Sequence, residues 1–75
     1  MLTEYMERAM RKAHYDLMEN GRFFATIPNC KGLWAEGKSL EKCREELRST
    51  LEDWLLLGLQ LDHNLPVMDG ISLDS

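Results

Sequence analysis

Leu2, Tyr5, Met6, Ala9, Met10 and Ala13 lie three and four residues apart, the spacing that gathers side chains on one face of an α-helix, so a helix is predicted over 2–13. Glu4 with Arg8 and Glu7 with Arg11 make i,i+4 pairs on its opposite face. The period then changes from helical to alternating. Over 14–18, Tyr15 and Leu17 alternate with His14 and Asp16, as on a half-buried strand, and Asn20-Gly21 offers the two positive-φ positions of a type I′ hairpin turn. Over 22–27, Phe23, Ala25 and Ile27 alternate with Phe24 and Thr26; both faces carry apolar groups, as on a central strand. Pro28 cannot donate to a ladder and ends that strand. Residues 33–36 then return as a third antiparallel strand, with Trp34 and Glu36 on one face.

The second helix is predicted over 40–61. Ser39 is its N-cap and Glu41 adds negative charge at the positive end of the helix dipole, while Lys42 in the third helical position rules out a capping box. Leu40, Cys43, Leu47, Leu51, Trp54 and Leu55 form the expected core stripe, and Glu41, Arg44, Glu45, Arg48, Glu52 and Asp53 the solvated face. From Trp54 the pattern widens: Leu55, Leu56, Leu57, Leu59 and Leu61 make the last turns apolar beyond one face, so they need cover from more than one side. Gly58 either weakens the helix there or admits another backbone. Residues 62–66 break the helix, and a short edge strand is expected over 70–73. The elements add up to an α+β fold, a β-β-β-α-β sheet with an extra N-terminal helix at 2–13 and the core at 14–75.

A chain of 75 residues is one domain with a marginal core of its own, which disulfides, a metal or oligomerisation usually supplement. Cys30 and Cys43 show no CxxC pair and no histidine at ligand spacing, so neither a zinc site nor any other metal or cofactor is expected. With no secretory segment, free thiols in a reducing cytoplasm are expected, and self-association becomes the favoured source of extra stability. The net charge of −4 is unevenly spread: residues 1–48 hold all nine basic side chains, and the rest carry Glu52, Asp53, Asp62, Asp69 and Asp74 with no Lys or Arg. Direct nucleic-acid binding is not expected without a basic stripe, whereas a basic protein partner fits; solubility alone is the plainer account of the charge. No apolar run is long enough to span a membrane.

The sequence offers little chemistry. His14 and His63 lack partners at catalytic or ligand spacing, and there is no phosphate-binding loop or nucleophile elbow. Asp16, Glu36 and Asp53 could be imagined as a metal-binding nuclease triad, against the ordinary reading of exposed carboxylates. Trp34 is either an interface anchor or a side chain covered by one of the helices. Trp34, Glu36, Trp54, Leu57 and Leu61 are the candidate partner or oligomer interface, and no catalytic residue is assigned.

In their order and spacing, 24–29 (Phe-Ala-Thr-Ile-Pro-Asn), 32–43 (Gly-Leu-Trp-Ala-Glu-Gly-Lys-Ser-Leu-Glu-Lys-Cys), Leu47 and 51–55 (Leu-Glu-Asp-Trp-Leu) resemble the HicB-like antitoxin family. The resemblance runs from about Tyr15 to the end. It implies a partial ribonuclease-H-like core without enzyme activity, in the antitoxin of a type II toxin–antitoxin pair. The partner it implies is a small basic HicA-type mRNA-cleaving toxin whose active site the antitoxin masks. Fuller members append a DNA-binding domain, so this chain resembles a short form. The alternatives are an orphan self-associating domain, as dimer or tetramer, and a metal-dependent ribonuclease-H-like nuclease.

Overall fold

The structure, a computed structural model, describes residues 2–61, 65–68 and 70. The elements are α1 (Leu2–Arg11), β1 (His14–Leu17), β2 (Phe23–Thr26), β3 (Trp34–Gly37) and α2 (Leu40–Gln60). The strands form an antiparallel sheet in the order β1-β2-β3, with His14, Thr26 and Trp34 in one cross-strand row and Asp16, Phe24 and Glu36 in the next. Of the strand expected at 70–73, Gly70 lies in a turn with φ +83, and residues 71–73 lie outside the described residues.

The β1–β2 hairpin differs from the type I′ expectation. Gly21 has φ +82, but Asn20 is not in the positive-φ region. Gly21 N–H donates to the Met18 carbonyl at 3.0 Å and Met18 N–H to the Arg22 carbonyl at 2.8 Å, enclosing a three-residue loop that ends on a left-handed glycine. Asn20 instead accepts the Arg22 N–H on its Oδ1 at 3.0 Å, a local bond open to an Asn side chain in either turn. The β2–β3 link has Pro28 followed by Asn29 at φ 71, closed by Cys30 N–H on the Ile27 carbonyl, the type II arrangement.

Ser39 caps α2 as expected: its Oγ accepts the Lys42 N–H at 3.1 Å. Cys43, Leu47, Leu51 and Leu55 are fully buried against Ala25, Ile27, Leu33 and Ala35 on the inner sheet face. Gly37 makes this contact possible. A Cβ there would stand 2.4 Å from Cys43 N, so only glycine lets the start of α2 lie on β3. Leu40, expected in the core, is half exposed. A helical side chain leans toward the N-terminus, so a leucine one turn before Cys43 reaches past the last inner-face residue.

Tyr5, Met6, Ala9 and Met10 of α1 are buried in the same core, so its methionines are packing groups. At 21 residues α2 is about 31 Å long, against about 13 Å for a four-residue strand, so the helix outruns the sheet. Leu65 and Met68 of the returning chain help cover the overhang, and the Tyr5 hydroxyl donates to the Pro66 carbonyl. Gly58 is buried, and a Cβ there would meet the tip of Leu65 at 2.8 Å; the close approach is by the chain's own side chain.

Candidate functional site

With both helices on the inner face, the outer sheet face stays open among the described residues. Neither helix covers Trp34, which is 55% exposed and stacks on Phe24 with ring centroids 5.8 Å apart. Beside the pair, Arg22 Nε donates to Glu36 Oε1 at 2.8 Å. A half-exposed ion pair of this kind adds little stability, but it fixes the carboxylate next to the indole.

From Trp34 and Glu36 a groove of about 560 Å³ crosses the edge of β3, unpaired among the described residues, to Glu46 and Thr50 on α2, with Arg22, Gly32 and Ala35 in its walls. A neighbouring hollow of about 270 Å³ is lined by Glu36, Gly37, Lys42, Glu45, Glu46 and Ser49. Two of the cations here are already engaged, Arg22 by Glu36 and Lys42 by Glu45 at 3.8 Å, while Glu46 forms no salt bridge among the described residues. The edge is therefore acidic and aromatic. Positions 46, 50, 53 and 57 follow one another on a single flank of α2, so Asp53 and Leu57 share a helix flank with the groove residues Glu46 and Thr50.

Among the sequence-derived candidates, Trp34 and Glu36 thus share one site, while Leu57 lies outside its lining, further along the same flank of α2. Leu61 caps the end of α2, 56% exposed, together with exposed Leu56, Leu57 and Leu59. Trp54 stands apart: it is half-buried against the core. Sequence reasoning missed the Phe24 stack, although its diagonal position to Trp34 follows from the register, and it missed Glu46 and Thr50, which only the packing of α2 on β3 brings to the tryptophan.

The imagined nuclease triad is not assembled. Asp16 and Glu36 lie on the two outer strands with Phe24 between them in the row, and Asp53 is on α2 across the sheet. No group of three or more His, Cys, Asp or Glu side chains is placed to hold a metal ion among the described residues. His14 is exposed on β1, and His63 lies outside the described residues. Cys30 and Cys43 are free and buried. Burial pushes the Cys30 thiol up to about 11, and burial aided by the Glu36 charge pushes Cys43 up as well. Neither thiol is activated as a nucleophile.

The family model for UPF0150-like proteins matches residues 4–66, from within α1 through the three strands and α2, and includes every residue that lines the edge groove. The chain belongs to the UPF0150-like family. Among solved structures, the UPF0150-like chain is similar to the crystal structure of TTHA0281 from Thermus thermophilus, at 37% identity and a TM-score of 0.91 over 99% of this chain and 93% of that one. No curated protein matches it. Among the described residues, no helix of this UPF0150-like domain is long and apolar enough to cross a membrane.

Proposed function

We propose that this UPF0150-like domain is a HicB-like antitoxin module that binds a small basic HicA-type toxin and masks its active site, with the sheet and α2 serving as that family's partial ribonuclease-H-like core. The observation that carries the proposal is the edge groove, where exposed Trp34 stands beside an open strand between Glu36 and Glu46, the latter without a salt bridge among the described residues. Tryptophan offers large contact area at low entropy cost, the Glu46 carboxylate complements a basic surface, and the edge of β3, unpaired among the described residues, can pair with a partner's strand. Such a domain works by binding, in the cytoplasm, without cofactor or metal and without contacting nucleic acid itself.

The same domain self-associates through the end of α2. Leu56, Leu57, Leu59 and Leu61 are all exposed there, and no Lys or Arg follows Arg48. An apolar helix end of this kind resembles a permanent homo-oligomer interface more than solvated surface. An orphan self-associating domain is the second reading, favoured by the leucines but leaving the acidic groove unused. Co-expression with the small basic protein of a neighbouring reading frame separates the two. The antitoxin proposal expects a stable complex and relief of growth arrest; a toxic basic neighbour that neither co-purifies nor is relieved would overturn it.

A further inference from the structure

On the flank of α2 away from the groove, a cleft of about 380 Å³ opens between the two helices, lined by Glu7, Met10 and Arg11 of α1 and by Arg44 and Arg48 of α2. Arg44 and Arg48 are one turn apart, and the C-terminal end of α1 brings Arg11 to them. None of the three forms a salt bridge with a described residue, although Glu7 is four residues before Arg11, whereas Arg8, Arg22 and Lys42 each hold a carboxylate. In a chain with thirteen acidic and nine basic side chains, three guanidiniums have converged on a space that holds one carboxylate.

The dipoles sharpen the point. Arg11 is well placed at the negative end of α1, whereas Arg44, in the second turn of α2, gains no such help from its helix. The Tyr15 hydroxyl is close enough to Arg44 for the guanidinium to pull its pKa down against the larger upward push of burial. An anion in the cleft would answer all three cations, and planar guanidiniums grip phosphoryl oxygens in two-pronged bonds.

We propose that the Arg11–Arg44–Arg48 cleft binds the phosphoryl group of a small phosphate ester. Its volume lies at the lower end of small-molecule sites. Three cations beside Glu7 are too few and too local to track a nucleic-acid backbone.

The test is a titration of the ¹⁵N-labelled full chain with inorganic phosphate and, separately, with adenosine 5′-monophosphate, at constant ionic strength set by chloride. Expected are saturable shifts confined to Glu7, Met10, Arg11, Arg44 and Arg48, with affinity at least tenfold weaker in R44Q/R48Q. Equal affinity for the two probes means that the phosphoryl group alone is recognised, and tighter binding of the monophosphate means that the ester's carrier adds contacts; either supports the site. Linear, unsaturating shifts, or saturable shifts that persist unchanged in R44Q/R48Q, would overturn it. Should the double variant lose its helical circular dichroism, R11Q replaces it under the same criterion.

Discussion

Cys30 is buried, and that burial pushes its thiol from an ordinary 9.0 to about 11. Because the folded value lies above the unfolded one, the group contributes stability that is fully present below pH 9 and lost as pH rises through about 11. Iodoacetamide is expected to spare native Cys30 at pH 9 and to label it rapidly at the same pH in denaturant; equal rates in the two states would contradict the burial. Gly37 makes a second residue-scale prediction. A methyl group there would meet the backbone of Cys43, which cannot move aside as a side-chain tip can, so Gly37→Ala is expected to cost about 2 kcal/mol or more in denaturant unfolding. At Gly58 the obstacle is only the end of Leu65, and alanine's better helix propensity of about 1 kcal/mol offsets the contact, so Gly58→Ala is expected to be near neutral. A loss at Gly37 no larger than that at Gly58 would contradict the close approach of α2 to β3. In the sequence Gly37 is visible only as part of a loop before Ser39; its reason for being glycine lies in a contact between two elements.

Local chemistry explains which elements can be read from the chain. Pro28 ends β2, Ser39 starts α2 and the leucine spacing runs along the buried face, each within a few residues of its effect. Asn20-Gly21 misleads because the dipeptide also suits a three-residue loop, and the choice between them is set by the pairing of Leu17 with Phe23. Leu40 misleads because helical phase says which way a side chain points but not where the sheet beneath it stops. The same mismatch of lengths leaves the leucines at the end of α2 exposed. Leu57→Ser with Leu61→Ser is therefore expected to lower the mass seen by light scattering to that of a monomer at micromolar concentration, with helical content unchanged. A wild-type chain that is already monomeric would remove self-association from the account.

The whole molecule measures 42 × 22 × 17 Å, with a radius of gyration of 12.6 Å against roughly 11 Å for a compact chain of this length. The elongation follows from α2 running past the sheet, and it sets three surfaces apart: the acidic, aromatic edge of β3, the leucine end of α2 and the arginine cleft against α1. The first two can be suspected from Trp34, Glu36, Leu57 and Leu61, whose character shows in the sequence. The cleft cannot, because Arg11 is more than thirty positions from Arg44 and both have ordinary places on solvated helix faces. The most direct test of the antitoxin proposal is a mixing experiment with a cognate HicA-type toxin, following mRNA cleavage as the chain is added. Stoichiometric wild-type chain should abolish cleavage, while Trp34→Ala, which removes an exposed ring and leaves the core intact, should need at least tenfold more. Cleavage undiminished by the wild-type chain, or abolished equally well by Trp34→Ala, would contradict it.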